Sequence, residues 1–497
     1  MSETSRNVYK INEINESLIG SDIEIHGRVH NIRALPRVCF IILRDQIHSI
    51  QCVISKPKQK KEIQIDTTIQ PDPEIELFDK CTGLKTEAYI KIGGVIIQLP
   101  DNVKQVNFTS HKNFEFKITS IELISDTVLE LPFALEDVNH LYDSTADGHT
   151  ETSDKDEAES RRNKVLLHTR LNNRAFDLRA PFNNCIFKVQ SGVCEFFRNY
   201  LTQEGFMEIH SPKIIGTPSE GGAAVFKVNY FGTDVFLAQS PQLYKQMCIN
   251  ADFNRVFEIG PVFRAENCAS HRHLCEFVGL DIEMALSPNN GTGVDYHEII
   301  RTFWGMLVHV FENINIKYQK DIDYIKSLHK LEDLKYSQEP FILNFKDGVT
   351  LLQNAGFEQS FLDDLSTQNE KELGRLVKEQ FGYDLFVLDK YPLCVRPFYT
   401  MPTNDGIYSH SFDVIMRGQE ISSGAQRINN YTQLVDRLKE LKLDPQYLYH
   451  YLESFKYGSR PHGGCGFGLE RIVMLFLDLE NVRETSLFPR DPTRVVP

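Results

Sequence analysis

The chain has 497 residues, 41 % of them apolar and 25 % charged, an ordinary balance for two or three globular domains. A net charge of −14 argues, taken alone, against a nucleic-acid partner, although local patches can differ from the total. Apolar runs such as "IVMLFL" at 472–477 are far too short to cross a bilayer, and the polar start "MSETSRNVYKINEINESL" is no signal peptide. The ten cysteines lack a C-x-x-C pair and read as reduced cytosolic thiols, so a cytoplasmic protein is expected.

The first part of the chain is β-rich. In "IEIHGRVHNI", Ile23, Ile25 and Val29 alternate with polar residues, and "VCFIILRD", "SIQCVI", "EAYIKIGGVIIQL" and "FEFKITSIELI" follow. Five short strands in about 110 residues predict a small barrel or sandwich, and a barrel of the OB type binds single-stranded nucleic acid. Arg28, Arg33, Arg37 and Arg44 surround Phe40 here. Basic groups beside an aromatic suit phosphate contact and base stacking, and equally suit a solvated strand face over a core Phe. The run 143–160, "DSTADGHTETSDKDEAES", holds seven acids against one lysine and reads as a linker with no core to bury.

From Ala180 onward helices and strands mix. Val193, Phe196, Phe197, Tyr200 and Leu201 recur at helical spacing with Gly205 as the stop, and "FMEIHSPKI" reads as a strand ending at Pro212. In "QSPQLYKQ", Ser240 suits a helix cap and Pro241 the first helical position. Gln242 and Lys245 then share a helix face. "FEIGPVFRAENCASHRHLCEFVGLDIEM", 257–284, reads as two strands joined by a polar loop, with Arg264 at the end of the first and Glu266, His271, Arg272 and His273 in the loop. Arginines there could hold a triphosphate against the sheet. Cys268, His271, His273 and Cys275 also offer zinc-type ligands, although structural zinc sites use wider paired spacings and the nearby arginines would repel a cation.

"SFDVIMRGQEISSGAQR" supplies Asp413, Glu420 and Arg427. Two carboxylates near a triphosphate suit Mg2+, and equally suit two surface acids on a strand. In "HGGCGFGLERIVMLFL", alternating Gly464, Gly466 and Gly468 precede Arg471 at the start of an apolar helix, a place where backbone and guanidinium can meet phosphate. It is neither the G-x-G-x-x-G fingerprint, since position 469 is leucine, nor a P-loop.

Three stretches in this order resemble the signature motifs of class II aminoacyl-tRNA synthetases: the long helix plus strand ending at Pro212, "FRAE" with its loop and "RHLCEF", and "GFGLER". The preceding barrel resembles subclass IIb. "TPSEGGAAVF", "AQSPQLYKQ", "GLDIEMA" and "EISSGAQR" are similar to its aspartate-charging branch of the archaeal and eukaryotic cytosolic type, whereas the asparagine branch usually lacks the lysine in "SPQLYKQ". The resemblance implies an α+β protein: an antiparallel catalytic sheet flanked by helices, behind an N-terminal OB-fold barrel. The boundaries expected are an extension at 1–21, the anticodon-binding barrel at 22–135, an acidic linker or hinge at 136–180 and the catalytic domain at 181–497.

The resemblance further implies ATP as substrate, Mg2+, L-aspartate, tRNA-Asp, a homodimer through the first motif and no membrane. Lys245 and Arg427 would grip the aspartate side chain in a pocket lined by Ser240, Gln242 and Ser423. Asp281, with Glu220 from a loop, would meet the α-ammonium. Arg264 would hold the α-phosphate, Arg272 and His273 the outer phosphates, and Phe277 and Arg471 the adenine. Glu266, Leu274, Gly468, Leu469 and Glu470 would complete the ATP site. Asp413, Glu420 and Ser423 would carry the metal, with Arg264, Glu420 and Arg471 the catalytic set. Phe40, Gln51 and Arg28 would meet the tRNA anticodon loop. An asparagine-charging enzyme and a non-catalytic RNA-binding relative are the alternatives. Eukaryotic members often carry a lysine-rich N-terminal extension, whereas residues 1–20 here hold only Arg6 and Lys10 as bases, so weaker non-specific tRNA affinity is expected.

Overall fold

The computed structural model describes residues 6–57, 72–100, 103, 105–106, 109–138, 165–218, 224–268, 270–288, 294–329 and 331–497. The acidic run 143–160 and Glu220 lie outside the described residues. Contacts divide the chain into two units, Met1–Asn139 with Leu178–Asn184, and His140–Asp177 with Cys185–Pro497.

In the first unit, strands β1 (Asn7–Tyr9), β2 (Asp22–Ala34), β3 (Val38–Asp45), β4 (His48–Ser55), β5 (Tyr89–Gln98) and β6 (Phe114–Ser125) form one sheet in the order β1-β2-β3-β4-β6-β5. A further β2–β5 pairing closes five of them into a barrel, the expected OB-type architecture. Closure follows from the alternation: Ile23, Ile25, Val29, Ile41, Leu43, Ile50, Ile90 and Ile92 all turn inward and are buried. Helix α1 (Pro73–Thr82) starts where the Asp72 side chain accepts from the Glu74 N–H, and places Phe78 and Cys81 in the same core.

The second unit is built on an eight-stranded sheet. Its strands are β7 (Met207–Glu208), β11 (Arg255–Phe263), β12 (Glu276–Ala285), β13 (Ile342–Asn344), β14 (Leu385–Asp389), β15 (Ser411–Met416), β16 (Gln419–Gln426) and β17 (His462–Gly468), in the order β13-β14-β15-β16-β17-β12-β11-β7. All pairs are antiparallel except those at the two edges. Strands β8 (Ile214–Ile215), β9 (Lys227–Tyr230) and β10 (Thr233–Leu237) form a small separate sheet. The long helix read from its apolar spacing is α2 (Pro181–Gln203), and Gly205 ends it at φ +79°. Phe197 of α2 meets Phe257 and Phe467 edge-on, and Phe303 of α4 (His297–Lys317) meets Phe467. These rings fill one face of the central strands and leave the other for chemistry. The expected strand before Pro212 is shorter than its pattern, with only Met207–Glu208 paired.

Candidate active site

The register places the site. Glu258, Asp281, Gly466, Ser423 and Asp413 occupy one cross-strand row through β11, β12, β17, β16 and β15. The next row carries Glu283, Gly464, Ala425 and Ser411. Over these rows lies a cleft lined at one end by Ser240, Gln242, Lys245, Asp281 and Arg427, and at the other by Arg264, Arg272, His273, Phe277, Glu420 and Arg471. Glu266, Leu274, Ser423, Gly468 and Glu470 also line it. Leu469 does not: it is buried at the start of helix α6 (Leu469–Phe476), so its expected place against ATP is corrected to a packing one.

Gly466 and Gly468 line the cleft, and Gly464 and Gly466 have a further use that the sequence did not reveal. A Cβ at Gly466 would come within 2.5 Å of Asp281 Oδ1, and one at Gly464 within 2.4 Å of Glu283 Oε2. The bare strand makes room for carboxylates from its neighbour, so that acids can stand on the sheet floor.

Those acids hold the cations. Helix α3 (Gln242–Asn250) begins one residue later than expected, with Pro241 at its cap and the Ser240 hydroxyl accepting from the Gln242 N–H at 3.3 Å. It buries Gln242 and Lys245 on one face. Lys245 Nζ donates to Asp281 Oδ1 at 3.0 Å and lies 3.4 Å from Glu283 Oε2. Arg427 donates from Nε and Nη2 to the two oxygens of Glu283 at 2.9 and 3.2 Å. Nη2 also donates to Gln242 Oε1 at 3.4 Å. Burial favours a neutral Glu283, yet Arg427 and Lys245 outweigh it and hold the carboxyl below its usual range. Glu283 is a central residue that sequence reasoning missed, although it stands two positions after Asp281 and so on the same strand face. Among the described residues, Arg427 Nη1 makes no hydrogen bond, and Gln242 Nε2 is buried without a partner. Two donors therefore await an acceptor at this end of the cleft.

At the other end Arg264 lies 5.6 Å from the centre of the Phe277 ring and 3.8 Å from Glu266. Arg272 pairs with Glu370 at 3.2 Å and donates to Thr367 Oγ1 at 2.6 Å, both on helix α5 (Thr367–Phe381). Arg471 donates from its two terminal nitrogens to the carbonyls of Glu420 and Arg272 at 3.0 and 3.1 Å, joining strand, helix and loop. Burial, with Arg471, Arg272 and Arg264 close by, keeps His273 below its ordinary value despite the opposing Glu266. Glu470 accepts from the Val278 N–H at 3.1 Å, and burial lifts its carboxyl to about 7.

The metal set departs from expectation. Burial and the neighbouring Asp413 charge raise Glu420 to about 7 against the pull of Arg471 and Arg396. Asp413, however, is gripped by both terminal nitrogens of Arg396, at 3.0 and 2.8 Å, and the first of these also donates to Ser423 Oγ at 2.9 Å. Of the three residues, only Glu420 presents a carboxylate to the cleft in this arrangement. Among the described residues no group of three or more His, Cys, Asp and Glu is placed to share an ion, and this includes the cysteines and histidines of 268–275.

On the barrel, Phe40 is half-buried on the outer face in a row Arg33–Phe40–Val53–Lys117, with Arg33 and Lys117 exposed. Gln51 is bonded to Glu115, and Arg28 donates to the Glu87 carbonyl at 3.2 Å. Arg44 is corrected: it is 5 % exposed and pairs with Glu87 at 2.7 Å, and Arg179 takes the other oxygen at 3.3 Å. One buried acid thus absorbs part of the basic cluster that suggested nucleic acid. Arg6 is likewise committed, to Asp22 at 2.8 Å.

Residues 167–492 match the family described as tRNA synthetases class II (D, K and N), and residues 23–124 match the OB-fold nucleic acid binding domain. The chain belongs to the class II tRNA synthetases of this D, K and N group. Within it, the chain is 41 % identical over 494 residues to the cytoplasmic aspartate–tRNA ligase of Caenorhabditis elegans, covering 99 % of this chain and 87 % of that one. It is 41 % identical over 488 residues to the probable cytoplasmic aspartate–tRNA ligase of Encephalitozoon cuniculi, covering 98 % and 97 %. The aspartyl-tRNA synthetase structure from Entamoeba histolytica superposes with a TM-score of 0.85 at 36 % identity, covering 100 % of this chain and 94 % of that one. The asparaginyl-tRNA synthetase from Pyrococcus horikoshii, at 24 % identity and a TM-score of 0.78, covering 99 % and 100 %, shares the fold.

Proposed function

We propose that this protein is an aspartate–tRNA ligase: it joins L-aspartate to ATP as aspartyl-adenylate, then transfers the aspartyl group to the 3′ end of tRNA-Asp. The observation that carries the amino-acid assignment is the pair of unfilled donors, Arg427 Nη1 and Gln242 Nε2, beside Lys245. They suit a carboxylate, which accepts on both oxygens, and oppose an amide, whose NH2 would face a donor. Charge alone does not decide the assignment, because Glu283 already neutralises Arg427. Asp281 suits the α-ammonium.

In the first step the α-carboxylate of aspartate attacks the α-phosphorus of ATP, and pyrophosphate leaves. In the second, the terminal ribose hydroxyl of the tRNA attacks the aspartyl carbonyl, and AMP leaves. No side chain becomes a nucleophile. Arg264 would stabilise charge at the α-phosphate, Arg272 and His273 would meet the outer phosphates, and Phe277 with Arg471 would hold the adenine. Arg272 must exchange Glu370 for phosphate, and Arg264 must leave the Phe277 ring for adenine to stack there. Glu420 would hold Mg2+, with Asp413 and Ser423 joining only if Arg396 yields them; a bound ion would neutralise phosphate charge. Phe40 would stack on an anticodon base, with Arg33 and Lys117 beside it for phosphate. Arg28 and Gln51 would join once they leave their partners on the barrel.

The protein works in the cytoplasm, as the names of the curated relatives say of those proteins. Among the described residues no helix is long and apolar enough to cross a membrane. A homodimer through α2 and the strand after it is supported by the exposed Met207 on that strand, 53 % accessible. The test of the assignment is aminoacylation with labelled aspartate of tRNA-Asp and of the same tRNA with its anticodon exchanged. Charging of the first at a rate well above the second is expected, and equal rates contradict anticodon reading by the barrel.

A further inference from the structure

Arg396 lies outside every motif that the sequence analysis singled out, yet it lines the cleft and takes both oxygens of Asp413 and the hydroxyl of Ser423. Its guanidinium lies 3.8 Å from the centre of the Tyr391 ring. Its Nε is buried without a hydrogen-bond partner, so the two terminal nitrogens and the ring hold the group in place. A forked guanidinium on a carboxylate uses the lone pairs that a hard divalent cation would need, and it puts a positive charge where that cation would sit.

We propose that Arg396 is a resident cation that closes Asp413 and Ser423 in the nucleotide-free protein and so excludes a free divalent cation until the triphosphate arrives. This rests on the magnesium reading above. Before ATP binds, Asp413 is satisfied and Glu420 is the only carboxylate of the pair open to an ion, too few ligands for a dedicated site. With ATP present, the phosphate oxygens supply further ligands and the ion enters with its nucleotide. Arg396 is therefore a positioning residue that sets the order in which metal and nucleotide bind, rather than a catalytic one.

The test is Mn2+ binding to the full chain, read by the loss of the free-ion electron paramagnetic resonance signal, with and without α,β-methylene-ATP. Wild type without nucleotide is expected to bind Mn2+ at least about tenfold more weakly than Arg396→Gln, and the gain should vanish in Arg396→Gln with Asp413→Asn. Arg396→Lys, which keeps the charge without the fork, should fall between. If Arg396→Gln does not fold, Arg396→Lys against wild type decides, and equal affinities overturn the proposal. Equal nucleotide-free binding by wild type and Arg396→Gln also overturns it. If both bind Mn2+ only with the analogue, the role of Arg396 fails and the magnesium reading stands. If Glu420→Gln binds Mn2+ with the analogue as wild type does, the magnesium reading itself fails.

Discussion

Replacing Lys245 by methionine removes one of two cations from a buried group that now balances, Lys245 and Arg427 against Asp281 and Glu283. All four side chains are nearly closed to solvent, with Lys245 2 % exposed and Glu283 fully buried. At an effective dielectric of about 20, the 3.0 Å contact to Asp281 is worth about 5 kcal/mol of attraction, offset by the cost of desolvating the ammonium. Breaking such a pair from one side costs about 3–5 kcal/mol, because a carboxylate is left unpaired. Lys245→Met should therefore lose about that much stability in urea melts, and lose aspartate-dependent ATP–pyrophosphate exchange, while ATP binding survives. Adding Asp281→Asn removes the carboxylate left unpaired without restoring the ammonium. The double variant should recover at least half of the lost stability and none of the exchange. Lys245→Met with near-normal exchange would refute the role in aspartate binding. A single variant as stable as wild type would refute the charge balance.

Phe40→Ala should leave adenylate formation intact and impair charging of tRNA; equal loss of both steps would count against an anticodon role. Glu470 gives a pH signature. Its folded-state pKa of about 7 lies above the unfolded 4.5, so the folded protein holds the proton more tightly. Its contribution is fully present below pH 4.5 and is lost as pH rises to 7, amounting to about 3 kcal/mol. Glu470→Gln should flatten that segment of the stability–pH curve, and an unchanged curve would show that Glu470 titrates normally. Met207→Asp should convert a dimer to monomer in light scattering, and a wild-type monomer would remove the dimer proposal.

Much of this was legible because it is local. Period-two alternation marked the barrel strands within about two residues, since each strand buries one face. Gln242 and Lys245 were readable as one face because helical spacing is fixed. The failures that touch the site's charges are long-range. Arg44 looked basic and exposed until a residue 43 positions later, Glu87, came beside it. Asp413 looked like a metal ligand until Arg396, 17 positions earlier, took both its oxygens. The glycines of β17 could be read as room for a ligand, but only the register with β12 shows that the room belongs to Asp281 and Glu283.

The most direct measurement is ATP–pyrophosphate exchange across aspartate, asparagine, lysine and the other amino acids, each at equal concentration. Aspartate alone is expected to drive exchange, with asparagine slower by roughly 10⁴-fold, the discrimination available when buried polar donors lose their acceptor. Exchange driven equally well by asparagine, or by no amino acid, would contradict the account.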